Sequence, residues 1–234
     1  NLHRIGASRD MTDKHITIAI DGPGGAGKST VADQVAQKLH ILHLDTGAMY
    51  RAFAYQALLE GIDPADEAGL SALAERIALQ VSFADGAQRT EVNGEDVTGR
   101  IRTPEISFAA STCSKTGAVR RLMVRMQQQL AQAQSMVLDG RDIGTKVLPG
   151  ATLKIYLTAS SEIRARRRYD ELIAKGQPAD YDTVLRDVIA RDHQDSTRAI
   201  DPLRPADDAV IVDTSDLSQA QVVHKVLALL EAKP

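Results

Sequence analysis

Five short, continuous runs of apolar residues alternate with helical stretches along the chain. Runs of this kind favour strands that are buried on both faces, as in a parallel sheet with crossover helices. We therefore predict strands at 16–20, 41–45, 136–139, 153–157 and 210–213. Helices are predicted at 28–39, 50–59, 104–114, 119–132 and 220–232. The pattern indicates an α/β fold with a five-stranded parallel sheet flanked by helices.

Two stretches interrupt this alternation. Residues 79–101 carry a turn signal at Asp85-Gly86 and the dipeptide Asn93-Gly94 between alternating residues, which is a strong hairpin signal. This stretch predicts a small antiparallel unit in an inserted lobe. Residues 160–204 form a long helical region in which arginines and aspartates are interleaved. We interpret this region as a helical lid, in which Arg164 and Arg186 are expected to form only weak surface ion pairs.

A chain of 234 residues suits one domain with an insertion. We assign residues 1–10 to a leader or tag that is expected to be disordered, and Met11 to the natural start. Residues 11–234 are interpreted as one domain with a core at about 15–66, 117–159 and 205–234. The inserted lobe would lie at about 67–116 and the lid at about 160–204.

The composition argues against several classes of partner. The net charge of −3 gives no overall attraction to nucleic acid or an anionic membrane, and 3% aromatic residues leave few stacking surfaces for single strands. A single cysteine, Cys113, excludes an intramolecular disulfide and fits a reducing compartment. No apolar run approaches the roughly 18 residues needed to span a bilayer. We therefore expect a cytoplasmic protein whose partners include no nucleic-acid polymer and no membrane.

The glycine-rich loop between the first predicted strand and helix matches the pattern G-x-x-x-x-G-K-[ST] in the required context. Glycines let backbone N–H groups point at a phosphate chain, and the following helix adds the positive end of its dipole. Lys28 is expected to reach the β- and γ-phosphates, and the Ser29 hydroxyl to ligate Mg²⁺. The loop predicts binding of a nucleoside triphosphate by Gly22, Pro23, Gly24, Gly25, Ala26, Gly27, Lys28, Ser29 and Thr30.

Arginines at the ends of predicted strands and throughout the lid indicate how the triphosphate is used. A phosphate monoester has a second pKa of about 6, so at pH 7 it is largely an anionic nucleophile that needs no general base. The barrier is repulsion between two polyanions, about 4 kcal/mol for two unit charges ~4 Å apart at an effective dielectric constant of about 20. Arginine offsets this repulsion well, because its planar fork binds phosphate oxygens. The pattern is typical of a nucleotide kinase.

Three segments supply the candidate residues. After the second predicted strand, Thr46 is expected to cap the next helix, and Arg51 follows one turn beyond Gly47. After the third predicted strand, Asp139 could hold the metal through water. In the lid, a stripe at i, i+4 and i+7 would share one face if the helix persists, and it consists of Arg191, Asp195 and Arg198.

Five motifs, in this order, resemble the bacterial cytidylate kinase family. They are the glycine-rich loop, D-T-G-A-M-Y-R at 45–51, I-R-T at 101–103, D-G-R-D-I-G-T at 139–145 and R-D-H-Q-D-S-T-R at 191–198. The resemblance runs from about residue 16 to the last predicted helix. It implies a P-loop kinase fold and reversible transfer of the γ-phosphoryl group of ATP to CMP or dCMP. Mg²⁺ would accompany ATP, and we expect a monomer.

The resemblance also implies roles for individual residues. Ser111, Arg120 and Asp142 would read the cytosine, and Arg191 with Asp195 would hold the sugar. The acceptor phosphate or the transferring group would be bound by Thr46, Arg51, Arg141 and Arg198. The expected catalytic residues are Lys28, Arg141, Asp142 and Arg198. The expected metal-binding residues are Ser29 and Asp139.

Alternatives remain open. A GTPase switch would carry an Asn/Thr-Lys-x-Asp motif, and the nearest candidate, at 145–148, lacks the aspartate. The acceptor could instead be UMP, AMP or a polyol, and a non-catalytic P-loop regulator would bind nucleotide without transfer. The histidines add little, because His40 and His43 lie at a helix–strand junction and no His/Cys/carboxylate spacing resembles a zinc site.

Overall fold

The computed structural model describes residues 15–233, so the predicted leader at 1–10 and Met11 lie outside the described residues. A parallel sheet in the order β2-β6-β1-β7-β8 forms the centre of the fold. Its strands are β1 (Thr17–Asp21), β2 (Leu42–Asp45), β6 (Met136–Gly140), β7 (Leu153–Thr158) and β8 (Val210–Asp213). The prediction of a five-stranded parallel sheet is therefore confirmed.

Helices cover both faces of this sheet. They are α1 (Lys28–Leu39), α2 (Thr46–Leu59), α3 (Glu67–Arg76), α4 (Pro104–Cys113), α5 (Gly117–Ala133), α6 (Ser161–Ala174), α7 (Tyr181–Thr197) and α8 (Gln219–Glu231). In addition, a π-helical turn spans Ile143–Val147. The sequence pattern did not predict α3 or this turn. Among the described residues, no helix is long and apolar enough to cross a membrane.

Strand β1 shows why the apolar runs are continuous. Ala19 belongs to a core cluster that includes Phe53 of α2, whereas Ile18 and Ile20 belong to a second cluster that includes Val31 of α1. Successive side chains of a strand point to opposite faces, so both faces of β1 are covered. Packing on both faces fixes the position of the strand, and the ends of β1, β2 and β6 carry Asp21, Asp45 and Asp139.

A second, antiparallel sheet is formed by β3 (Leu79–Ala84), β4 (Ala87–Val92) and β5 (Glu95–Asp96). Asn93 and Gly94 join β4 to β5 with φ values of 52° and 84°, as a type I′ turn requires. The predicted antiparallel unit is thus confirmed. Gln88 of β4 attaches this sheet to the core, because its Oε1 accepts from the N–H of Asp45 at 2.8 Å and its Nε2 donates to the Asp45 carbonyl at 3.2 Å.

The predicted lid region consists of two helices, α6 and α7. Arg166 lies over the ring of Tyr181 with 4.4 Å to the ring centroid, which joins the two helices. Helix α7 ends at Thr197, and Arg198 has extended backbone angles, φ −61° and ψ 143°. The expectation that Arg198 continues a helical stripe is therefore wrong. The division of the chain into a core, a lobe and a lid stays a prediction.

The start of the glycine-rich loop tolerates no side chain. Gly22 has a φ of +145°, and a Cβ there would lie 2.0 Å from the carbonyl oxygen of Leu157 in β7. We expect Gly22→Ala to lower the free energy of unfolding by more than about 3 kcal/mol, because strained backbone and a backbone clash combine. Urea unfolding measures this loss. Gly150→Ala is the control, since nothing lies within 4 Å of its Cβ, and an equal loss in both variants would contradict the explanation.

Candidate active site

The glycine-rich loop connects β1 to α1. Gly25 and Gly27 have φ values of +79° and +88°, which a residue with a side chain adopts only with strain. Lys28 begins α1 and is buried, and its Nζ donates to the carbonyl of Pro23 at 2.7 Å. Burial and the nearby Arg141 guanidinium lower the pKa of Lys28 well below its ordinary value. An anionic ligand in the loop would stabilise the charged amine.

Ser29 and Asp139 meet at the edge of the sheet. The Ser29 hydroxyl donates to Asp139 Oδ2 at 2.8 Å, and Nε2 of His43 lies 2.7 Å from Asp139 Oδ1. Burial raises the pKa of Asp139, but His43 and Lys28 outweigh this effect, and the pKa lies below its ordinary value. The carboxylate is therefore held in its charged form.

The oxygen atoms of Ser29 and Asp139 fit Mg²⁺, which prefers oxygen ligands and usually takes one or two from the protein. Ser29 also lines a cavity of about 390 Å³ beside β2 and the hairpin, which leaves room for water and phosphate oxygens. Among residues 15–233, no group of three or more His, Cys, Asp or Glu side chains could hold a metal by itself. A metal here would depend on the ligands that a bound phosphate chain supplies.

The junction between β2 and α2 differs from the prediction. Asp45, not Thr46, caps α2, because its carboxylate accepts from the N–H of Ala48 at 2.9 Å. Thr46 is the first helical residue, and its hydroxyl donates to the carbonyl of Asp139 at 2.7 Å. Asp45 also binds Arg51 at 2.8 Å. One carboxylate thus both caps the helix and orients an arginine of the predicted acceptor site.

Asp195 of α7 is the centre of a second buried group. Its carboxylate accepts from Arg141 Nε at 2.9 Å and from the Ser111 hydroxyl at 3.0 Å, and Arg191 Nε lies 4.0 Å away. Burial raises the pKa of Asp195, but Arg141 and Arg191 outweigh this effect, and the pKa is lowered. The structure thus brings together the predicted sugar-binding pair, one predicted base-reading residue and one predicted phosphate-binding residue.

Asp142, at the start of the π-helical turn, is the centre of a third group. It is paired with Arg120 of α5, and Arg198 Nη2 lies 3.8 Å from its Oδ1. Asp201 accepts from Arg120 Nε at 3.0 Å, and the Asp201 carbonyl accepts from Arg198 Nε at 2.7 Å. Although Arg198 lies beyond α7, this contact still directs it to Asp142.

The arginines of these groups are crowded and only partly satisfied. Among the described residues, three arginine nitrogens are buried without a hydrogen-bond partner, namely Arg51 Nε, Arg191 Nε and Arg198 Nη2. Burial and the neighbouring Arg141 lower the pKa of Arg191 to about 10. Buried donors without partners are costly, and like charges repel each other. A polyanionic ligand would relieve both effects.

The glycine-rich loop lies beside two of these arginines, Arg141 and Arg191. A Cβ placed on Gly24 would lie 3.6 Å from Arg141 Nη2 and 4.0 Å from Arg191 Nη1. Phosphates bound by the loop and by these arginines would therefore be adjacent. This geometry suits direct transfer between two phosphate groups.

Four residues of the site region were missed or misjudged from the sequence. His43 contacts Asp139 instead of being an uninvolved junction residue, and Gln88 holds the backbone of Asp45. Arg164 is buried, so the expectation that it forms a weak surface ion pair is wrong. Asp21 accepts from the N–H groups of Ile143 at 2.8 Å and Gly144 at 2.7 Å. Each has its partner far away in sequence, so no local pattern marks it.

A family model and the curated relatives point to one family. The family model described as Cytidylate kinase matches residues 18–232. Relatives named Cytidylate kinase from Bacillus velezensis and Bacillus subtilis are 49% and 48% identical over 221 residues, which cover 94% of this chain and 99% of each relative. A solved structure of an uncharacterized protein from Eubacterium ventriosum has a TM-score of 0.50 at 12% identity and covers 94% of this chain and 99% of that chain. This last likeness concerns the fold alone.

The contact between His43 and Asp139 predicts a pH dependence. Burial lowers the pKa of His43, but Asp139 outweighs this effect, and the pKa lies above 6.5. The stability from this pair is therefore fully present below pH 6.5 and is lost as the pH rises through the folded pKa. We expect Asp139→Asn to lower the His43 pKa by at least about one unit in an NMR titration. His224→Gln, at an exposed ring of α8, is the control and should leave the titration of His43 unchanged.

Asp21 predicts a second pH dependence, with the same sign. Burial raises its pKa from 3.8 to about 6, although the N–H groups of Gly144 and Ile143 oppose the shift. Because the folded pKa exceeds the unfolded one, Asp21 stabilises the fold below pH 3.8, and this contribution is lost as the pH rises to 6. From pH 7 to pH 4 the free energy of unfolding should rise by roughly 2 kcal/mol relative to that of Asp21→Asn. Urea unfolding across this range measures the difference, and parallel curves for both proteins would refute the shift.

Proposed function

The chain belongs to the cytidylate kinase family, and from this premise we propose that it transfers the γ-phosphoryl group of ATP to CMP and dCMP. One observation carries the proposal. Two carboxylate–arginine groups, around the buried Asp142 and Asp195, contain arginines that retain buried donors without partners, and the arginines around Asp195 lie beside the glycine-rich loop. This arrangement suits an acceptor that carries a phosphate group and a polar base.

We propose that the loop Gly22–Thr30 binds the triphosphate through its backbone N–H groups and through Lys28. Lys28 would exchange its bond with the Pro23 carbonyl for the phosphates, which restores the charged state that burial disfavours. Ser29 and Asp139 would hold Mg²⁺ that arrives with ATP. Bound there, Mg²⁺ would neutralise charge on the transferring phosphoryl group.

The acceptor phosphate needs positive charge more than it needs a base. It is already largely ionised at pH 7, so neutralisation and alignment dominate the barrier. Arg51, Arg141 and Arg198 are proposed to supply this charge. Thr46 would contribute less than expected from the sequence, because its hydroxyl donates to the Asp139 carbonyl.

We propose that Asp142, Arg120 and Ser111 read the cytosine. A carboxylate accepts from the exocyclic amine, and a guanidinium donates to the ring acceptors. Asp195 and Arg191 would bind the sugar. In the described structure these groups bind one another, since Ser111 donates to Asp195 and Arg120 is paired with Asp142. Binding of the acceptor would thus exchange internal contacts for contacts to the ligand.

A cytoplasmic monomer remains the proposed state. The lone cysteine, Cys113, is free and buried, which fits a reducing compartment. The proposal is tested against two alternatives. One is a kinase for UMP, AMP or another small acceptor, and the other is a non-catalytic regulator.

Acceptor choice tests the proposed activity directly. We expect ADP release from ATP and Mg²⁺ to be fastest with CMP or dCMP, and to be slow without an acceptor, in a coupled assay with a panel of nucleoside monophosphates. Preference for AMP or UMP would assign the other acceptor class. Nucleotide binding without acceptor-dependent ADP release would favour the regulator.

Asp142→Asn tests the reading of the base. An amide can donate to the carbonyl of uracil, so kcat/KM for CMP should fall about 10- to 100-fold while the preference for CMP over UMP shrinks. KM for ATP should change by less than about twofold, because Asp142 is outside the donor loop. Asp207→Asn at the fully exposed Asp207 is the control. Equal losses with CMP and UMP would overturn the assignment.

A further inference from the structure

Arg164 is a buried cation to which the proposed function assigns no role. It lies near the start of α6 and is only 4% exposed. Its Nε donates to the carbonyl of Ala159 at 2.9 Å, and its Nη1 donates to the carbonyl of Gly24 at 3.0 Å. Its two terminal nitrogens also bind both carboxylate oxygens of Asp192 in α7, at 3.0 Å and 2.5 Å. One side chain therefore connects the phosphate loop with both helices of the lid region.

The bond to Gly24 orients one peptide of the phosphate loop. A trans peptide is planar, so its C=O and N–H bonds point in opposite directions. No peptide bond among the described residues is cis. Because the Gly24 carbonyl points at Arg164, the N–H of Gly25 points away from Arg164. Backbone N–H groups of such a loop are the donors that bind a phosphate chain.

Gly25 packs directly on the same residue. A Cβ at Gly25 would lie 3.1 Å from Arg164 Cβ and 3.2 Å from the Arg164 carbonyl oxygen, and its φ is +79°. The loop and the first turn of α6 are therefore in contact through the backbone as well as through the guanidinium. A shift of α6 would have to move the loop.

Asp192 extends this connection to the acceptor side. It follows Arg191 directly and lies three residues before Asp195, the carboxylate that holds Arg141 and Ser111. A two-point ion pair between a buried arginine and this helix restricts rotation of α7. The position of α7 and the orientation of the Gly24–Gly25 peptide are thus physically linked.

We propose that Arg164 is a positioning residue that holds the Gly25 N–H toward the triphosphate and, through Asp192, couples donor binding to acceptor binding. The inference deepens the proposed function and rests on it for the identity of the two ligands. Coupling of this kind is reciprocal, so each nucleotide should tighten binding of the other by the same factor.

Calorimetric titrations test the proposal. A non-hydrolysable ATP analogue with Mg²⁺ is titrated with and without CMP, and CMP is titrated with and without the analogue. We expect Arg164→Gln to weaken binding of the analogue alone at least tenfold, and Arg164→Lys to weaken it less. We expect Asp192→Asn to change that affinity less than threefold but to reduce the coupling factor toward one. An unchanged coupling factor in both Asp192→Asn and Arg164→Gln would overturn the proposal.

A spectroscopic readout separates positioning from folding. The Gly25 amide signal should shift strongly when the analogue binds the unaltered chain and should shift little in Arg164→Gln. Arg186→Gln is the control, because Arg186 is exposed on α7 and its side chain donates to Thr183 at 2.9 Å. A full Gly25 shift in Arg164→Gln, with nothing changed except thermal stability, would reduce Arg164 to a structural role. If Arg164→Gln does not fold, Asp192→Asn decides alone through the coupling factor.

The analogue titration and the Gly25 shift do not depend on the acceptor. If CMP supports no ADP release but the Gly25 effect is present, the proposed function fails while the role of Arg164 in the loop stands. If CMP supports ADP release but Arg164→Gln binds the analogue normally and keeps the full Gly25 shift, the proposed function stands and this inference fails.

Discussion

Repulsion among closely spaced cations is the constraint on which the rest of this structure depends. Six cationic side chains converge on one cleft, namely Lys28, Arg51, Arg120, Arg141, Arg191 and Arg198. Two unit charges a few Å apart in such surroundings repel by several kcal/mol, so the cations cannot be gathered without compensation. Asp45, Asp139, Asp142 and Asp195 supply it, each held by at least one of these cations or by His43. The compensation is incomplete, which leaves the cleft suited to polyanions.

The parallel sheet places these carboxylates close together because its strands end at the same edge. Asp45 of β2 pairs in register with Asp139 of β6, and Asp21 of β1 pairs with Gly140. Three strands thus bring carboxylates to one edge, where parallel sheets bind ligands. Helices α2, α5 and α7 carry Arg51, Arg120 and Arg191, whereas Arg141 directly follows β6 and Arg198 directly follows α7. The register of the parallel strands therefore determines both the fold and the grouping of charged residues at the site.

How much of the site could be predicted depends on how far apart in the sequence its interacting residues lie. The glycine-rich loop could be recognised from the sequence because its glycines, lysine and serine lie in one continuous segment. The strands could be recognised because those covered by helices on both faces appear as continuous apolar runs. Thr46 was expected to cap α2 although Asp45 does, because two neighbouring residues can both serve as caps and only the backbone angles decide. Arg164 was expected at the surface because an arginine beside aspartates usually is. Its burial depends on Gly24, which is 140 positions away. The stripe that would have included Arg198 fails because α7 ends one residue earlier.

Gln88 attaches the hairpin sheet to the core through an uncharged amide that pairs with both backbone groups of Asp45, much as a neighbouring strand would. Dissolved ions weaken attraction between charged groups over distances of about 10 Å at 0.1 M ionic strength, but they have little effect on a bond between neutral dipoles. The cleft and the attachment of the hairpin therefore respond differently to salt. As ionic strength rises, the attraction of the arginines for a bound anion would therefore weaken, whereas the hydrogen bonds from Gln88 to Asp45 would still hold the hairpin sheet in place.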